Sequence, residues 1–298
     1  MLKDRIKSLA QAYKQEVIDL RRHLHSHPEL SFQEFQTAAF VAEKLKAIGI
    51  TEIESKATTG WSALIKGKNP EKKVVALRAD MDALPIIEAN EVPYKSQNPG
   101  VMHACGHDAH TASLLGAAKI LNEVRDQFEG TIKLIFQPGE EKLPGGASLL
   151  IKEGILDNPK VDLIIGQHVM PFLNTGNVGF RKGLYMASTD EIYITIHGKG
   201  GHGAMPHLCI DPVAAAAQVI VSLQQIVSRK AKPILPTVLS FGKINSNGGA
   251  TNVIPNSVSF EGTLRTLDEE WRGQAKVLIE KIVNSTAEAF GATAEIRI

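Results

Sequence analysis

Only two cysteines, Cys105 and Cys209, occur in 298 residues, too few for the disulfide framework of a secreted scaffold. Each is therefore read as a free thiol or a metal ligand. No window approaches the roughly 18 consecutive apolar residues of a membrane span. The first residues, MLKDRIKSLAQAYKQEV, are charged and amphipathic, without the apolar core of a signal peptide. A soluble, cytoplasmic protein with no membrane partner is expected. Charge of one sign is missing too: 33 Lys+Arg against 32 Asp+Glu leave a formal net charge of +1. Without a basic excess to neutralise phosphates, nucleic acid is not an expected partner.

The length exceeds the usual single-domain range, so two domains are expected. Apolar residues Ile6, Leu9, Tyr13, Val17, Leu20 and Leu24 recur every three or four positions, which predicts one long helix ending near His27-Pro28. A second helix is predicted over 33–48, with Gly49 as its stop. Short β-branched runs at 62–65, 73–79, 131–136 and 161–166 then alternate with helical stretches at 108–125 and 147–153, the pattern of an α/β sheet with helices on its faces. From Ser188 the pattern becomes strand, helix over 211–228, strands over 237–244 and 252–266, helix over 268–290 and strand over 293–298. That βαββαβ order is the ferredoxin-like α+β plan. The domains are accordingly expected at 1–185 and 186–298.

In an open α/β sheet, ligands gather beyond the carboxyl ends of the strands. The strand over 73–79 runs into Asp80 and Asp82, that over 131–136 into Glu140-Glu141, and that over 161–166 into His168. Between the first two lies His103-Ala104-Cys105-Gly106-His107-Asp108-Ala109-His110, ahead of an apolar helix. Thiolate, imidazole and carboxylate together suit zinc or a similar first-row metal. A lone buried cysteine or histidine is ordinarily packing, but four such residues leaving successive elements of one sheet are hard to account for that way. Glu140 and Glu141 point apart as neighbours, so one can bind metal while the other moves a proton.

These motifs resemble the zinc-dependent aminoacylases, hippurate hydrolases, N-acetyl-diaminopimelate deacetylases and auxin-conjugate hydrolases, relatives of carboxypeptidase G. The matching stretches are RRHLHSHPELSFQE (21–34), RADMDALP (78–85), GVMHACGHDAHTA (100–112), FQPGEE (136–141), GKGGHGAMPH (198–207), ATNVIP (250–255) and GTLRT (262–266). The resemblance implies a metallohydrolase catalytic domain carrying an inserted ferredoxin-like lid and dimerisation domain. It implies two divalent ions (Zn, Mn, Co or Ni), with Cys105, His107, Glu141 and His168 as ligands. Glu140 is implied as general base, in a role it could exchange with Glu141, and Asp80 as a supporting catalytic acid. His202, Asn252 and Arg265 are implied to bind substrate, His202 reaching the partner subunit's site in a homodimer. The implied reaction removes the acyl group from an N-acyl amino acid; the alternative is a carboxypeptidase acting on short peptides.

His25, His27, His110 and His197 receive only a structural reading. Relatives of this kind supply one more histidine ligand from a segment after the lid. Only His197, His202 and His207 follow His168 here, all within the lid. The expectation is therefore a truncated catalytic domain one ligand short, with a non-catalytic dimerising product as the further alternative.

Overall fold

The first apolar stripe folds as two helices where its spacing predicts one. In the computed structural model, which describes residues 1–298, α1 (Leu2–Ala12) and α2 (Lys14–Ser26) meet at Tyr13, whose φ of −93° and ψ of 1° lie in the bridge region. A break of one residue keeps the same face inward, so periodicity alone cannot reveal it. The helix predicted over 33–48 is α3 (Phe35–Ala47), ending ahead of Gly49.

The sheet that follows is built from β1 (Ile53–Lys56), β2 (Gly60–Lys66), β3 (Val74–Asp80), α4 (His107–Glu123), β4 (Thr131–Gln137), α5 (Gly146–Lys152) and β5 (Leu163–Gly166). Its strand order is β1-β2-β4-β3-β5. β1, β2 and β4 pair antiparallel, whereas β3 lies parallel to both β4 and β5. The result is a mixed α/β fold in which β3, β4 and β5 deliver their carboxyl ends to one edge. β1, only four residues long, carries no pattern that sequence reading detects.

β4 is largely buried on both faces because both are covered. On one side Leu134 and Phe136 join Ala63, Ile65 and Ala79 beneath Val41 and Leu45 of α3 and Leu114, Leu115 and Ala118 of α4. On the other, Ile135 and Ala76 meet Leu150 and Ile155. Burying a side chain such as Phe136 contributes about 2 kcal/mol, and this layer fixes the strand ends that carry the polar residues.

The chain divides into two compact units, Met1–Gly176 and Asn177–Ile298, nine residues ahead of the expected boundary at 185/186. Residues 177–187 form no helix or strand and are exposed, so no buried pattern marks the division.

The second unit comprises β6 (Ser188–His197), β7 (Gly201–His202), α6 (Pro212–Gln225), β8 (Thr237–Ser246), β9 (Val253–Ile254), β10 (Ser257–Thr266), α7 (Glu269–Ala289) and β11 (Thr293–Arg297). β11-β6-β10-β8 form an antiparallel sheet, and β7-β9 a separate two-stranded one. The strand expected over 252–266 is thus two strands, interrupted at Pro255-Asn256. Alternate residues Ile192, Ile194 and Ile196 of β6, and Val258, Phe260 and Leu264 of β10, are buried with Val219 and Leu223 of α6 and Ile279 and Val283 of α7. Asp211 and Asp268 cap the two helices, accepting from the Val213 and Trp271 amides at 2.8 and 2.7 Å. No helix is long and apolar enough to cross a membrane.

Candidate metal centre

β3 ends at Asp80, and both it and Asp82 are buried. Each oxygen of Asp80 has a partner: Oδ1 takes a 2.6 Å hydrogen bond from His110 Nδ1, and Oδ2 lies 2.6 Å from the Arg78 guanidinium. Burial alone would raise the Asp80 carboxyl, but the His110 hydrogen bond and the Arg78 charge hold it below its usual range. His110 Nε2 in turn accepts from the Val169 amide at 2.9 Å, so its proton sits on Nδ1 and points at Asp80.

His107 opens α4 directly after Gly106, whose φ is +96°. A Cβ at Gly106 would stand 2.3 Å from Val169 Cγ2, so this turn needs glycine for both conformation and space. His107 Nδ1 lies 2.8 Å from the Asp82 carbonyl oxygen and 3.2 Å from Asp82 Oδ1. That side of the ring is therefore the donor. Nε2 is buried without a hydrogen-bond partner, 3.8 Å from Asp80 Oδ2 and 3.8 Å from Glu141 Oε1. Burial would lower the His107 pKa, yet the hydrogen bond to Asp82 and the charges of Asp80 and Asp82 raise it to about 11. Asp82, which burial would raise, is held down at about 2 by hydrogen bonds from His107, the Glu141 amide and Ser31.

Cys105 Sγ stands 3.3 Å from His168 Nε2, while His168 Nδ1 donates to the Val169 carbonyl at 2.7 Å. Three trios converge on His107: Cys105 and His168, Asp80 and His110, and Glu140 and Glu141. Within each trio the potential ligand atoms lie within 4.8 Å of one another. The Glu140 carboxyl is pushed above its ordinary value, first by the protein that shields it from water and then by the neighbouring charge of Glu141. A buried, unpartnered imidazole nitrogen among thiolate, carboxylate and imidazole donors fits divalent first-row ions. The anchored far nitrogens of His107 and His168 are the orienting contacts such ligands ordinarily have.

All six first-unit residues expected at a site are thus neighbours: Asp80, Cys105, His107, Glu140, Glu141 and His168. Sequence reading passed over His110 and the orienting part of Asp82. His110 lies three residues after His107 on the opening turn of α4, on the same helix face, and that spacing was the available signal. His25 stays outside the trios. Its Nδ1 meets Asp108 Oδ2 at 2.6 Å and its Nε2 meets Glu88 Oε1 at 3.1 Å, in a buried cluster behind the Cys105–His107 loop.

In the second unit, His202 and Asn252 are brought together. His202 pairs with Val253 across β7 and β9, and the Gly203 amide donates to the Asn252 carbonyl at 2.7 Å. Arg265 is exposed near the end of β10, an inner strand of the four-stranded sheet, opposite Thr189 and Val238. His197 lies 3.5 Å from Glu295 on neighbouring strands.

The family model of "Peptidase family M20/M25/M40" matches residues 76–297. An N-acyl-L-amino acid amidohydrolase of Geobacillus stearothermophilus is 49% identical over 297 residues, covering 100% of this chain and 79% of that protein. The structure of a putative aminohydrolase from methicillin-resistant Staphylococcus aureus superposes with a TM-score of 0.91 at 38% identity, over 100% of this chain and 78% of that one. The Bacillus subtilis YXEP protein, described as a dinuclear metal binding peptidase from the M20 family, superposes with a TM-score of 0.78 at 39% identity, over 96% of this chain and 74% of that one.

Proposed function

Since the chain belongs to peptidase family M20/M25/M40, we propose that it is a metal-dependent amidohydrolase that removes the acyl group from N-acyl amino acids. The observation that carries this reading is the convergence of Cys105, His107, Glu140, Glu141 and His168 around the unpartnered Nε2 of His107. The kinship with the N-acyl-L-amino acid amidohydrolase supports the substrate class, and the dinuclear relative supports two divalent ions.

Cys105, His107, Glu141 and His168 would hold these ions, which when bound supply Lewis acidity toward the amide carbonyl and toward water. Glu140 takes the proton of the attacking water and returns it to the departing amine. Burial and the neighbouring Glu141 charge raise its pKa above the ordinary carboxylate value, the direction that favours a group able to accept a proton and release it. Asp80, with both oxygens already engaged, orients His110 and stays ionised beside the ligands.

In this reading the domains run 1–185 and 186–298, and the second is a ferredoxin-like lid through which two copies pair. His202, Asn252 and Arg265 belong to substrate binding, Arg265 by the bidentate fork that suits a carboxylate. The test is release of free amino acid from N-acetyl and N-benzoyl amino acids by the protein loaded with Zn, Mn, Co or Ni, beside dipeptides. Cleavage of dipeptides but not of N-acyl amino acids would replace the proposal with a peptidase.

A further inference from the structure

Glu34 is fully buried at the N-terminal boundary of α3, yet its side chain caps no amide of that helix. The shorter aspartate is the carboxylate that ordinarily caps from that place. Here Glu29 accepts the Gln36 and Thr37 amides instead, at 3.1 and 2.8 Å. Glu34 turns away from its helix: Oε1 accepts the Gly139 amide, 105 residues along the chain, at 2.7 Å, and Oε2 the Thr59 hydroxyl, 25 residues along, at 2.7 Å. Sinking a carboxylate out of water is costly unless it is fully hydrogen-bonded, and both of its partners lie outside its own helix.

The peptide it holds is the one that leads into Glu140. Gly139 has φ +53°, and its carbonyl accepts the Gly146 amide at 2.8 Å, so it is tied on both sides. The ring of Phe32, itself at φ +64°, lies over it so closely that a Cβ on Gly139 would stand 2.3 Å from Phe32 Cε1. The next tie comes from the same short stretch. The Ser31 hydroxyl donates to Asp82 Oδ2 at 2.7 Å, and that oxygen also accepts the Glu141 amide at 2.9 Å. Glu140 therefore sits between two anchored amides, those of Gly139 and Glu141, and residues 31–34 lie behind both.

We propose that residues 31–34 are a strap that aims the Glu140-Glu141 pair, with Glu34 the positioning residue that sets the Gly139 peptide. Its consequence for turnover rests on the metal-centre reading above; the anchoring of Gly139 does not. Glutamine at 34 can keep both contacts, because its amide oxygen accepts from Gly139 and its amide N–H donates to the Thr59 oxygen. Alanine keeps neither.

The experiment compares Glu34→Ala and Glu34→Gln with the unaltered protein. Amide hydrogen exchange is measured on metal-free protein, and cobalt spectra and kinetics on protein loaded with cobalt. Loss of a hydrogen bond to a charged group should speed exchange at Gly139 about tenfold to a hundredfold in Glu34→Ala. Exchange in β4 and α4 should be unchanged. Removal of an orienting contact behind a metal site should lower kcat about tenfold to a hundredfold, with KM little altered and the Cys105 thiolate-to-cobalt band retained. Glu34→Gln should restore exchange and kcat. Should Glu34→Ala not fold, Glu34→Asp, whose carboxylate is one methylene short of the Gly139 amide, carries the same expectation at that amide.

Unaltered exchange and kcat in a folded Glu34→Ala overturns the proposal. So does faster exchange spread evenly over β4 and α4, which is loosening of the fold, and so does a Glu34→Gln as impaired as the alanine variant. If the unaltered protein shows no thiolate-to-cobalt band, the metal-centre reading falls, and the exchange data still decide the strap.

Discussion

His107 Nε2 and Glu141 Oε1 face each other across 3.8 Å with the nitrogen buried and otherwise unpartnered. That gap is too wide for a hydrogen bond. With Glu140 they form a trio of groups that could hold one metal ion.

The two cysteines should separate cleanly. Cys105 lies 3.3 Å from His168 Nε2, whereas Cys209 makes only a 3.6 Å contact with the Met205 carbonyl. Cys105→Ala is expected to lower bound metal, measured by elemental analysis after dialysis, about tenfold or more in affinity. Cys209→Ala should leave it unchanged, and equal metal retention in the two variants would remove Cys105 from the ligand set.

The adjacent acids should differ in kind. Glu140→Gln is expected to keep its metal and lose about 100-fold or more of turnover, the usual share of a general base. Glu141→Gln should lose metal as well. A reversed outcome exchanges the two roles, since nothing but the direction of each side chain distinguishes them chemically.

Acid should loosen the second unit through Asp190. Its carboxylate is buried against Arg272, with contacts of 2.6 and 2.7 Å to Nε and NH2. The Arg272 hydrogen bonds outweigh burial and lower its pKa from 3.8. A depressed carboxylate stabilises the fold fully above the unfolded value and loses that contribution as pH falls through the folded one. Unfolding free energy should therefore decline with falling pH below 3.8, and Asp190→Asn should flatten that part of the profile. Near neutrality the substitution removes one charge of the pair while Glu269 still accepts from Arg272 at 2.7 Å, and should cost about 1 kcal/mol. An unchanged acid limb in denaturant titrations would show that the pair is not the titrating element.

Assembly can be read by complementation. If two chains pair through the βαββαβ unit, as self-complementary surfaces most often do in two-fold dimers, His202 can serve the partner's site. Mixing inactive His202→Ala and Glu140→Gln chains should then restore activity, because one site of the mixed dimer has both residues intact. Subunit exchange is first verified by sizing differently tagged chains. Exchange without recovered activity would confine His202 to its own chain.

The α/β sheet was legible because β3, β4 and β5 are largely apolar runs that end in, or lead within a few residues to, charged or imidazole residues, a pattern confined to each strand and the loop after it. The βαββαβ order was legible for the same reason: the alternation in β6 and the caps at Asp211 and Asp268 are signals spanning a few residues. Tyr13 and Pro255-Asn256 were missed as breaks because the apolar face continues across them. β1 and β7 were missed because four and two residues carry no period.

Sequence alone determined which residues leave the strand ends and that Cys105, His107, Glu140, Glu141 and His168 offer thiol, imidazole and carboxylate donors there, since residue type and spacing are local properties. Only the tertiary structure decided that His107 keeps Nε2 free, that His110 grips Asp80 and that Glu34 reaches Gly139. Those contacts join residues 25, 30 and 105 positions apart, and the packing of helices on β3 and β4 brings them within hydrogen-bonding distance. No pattern along the chain encodes which buried polar group will meet which, because that is settled by where each element comes to rest against the core.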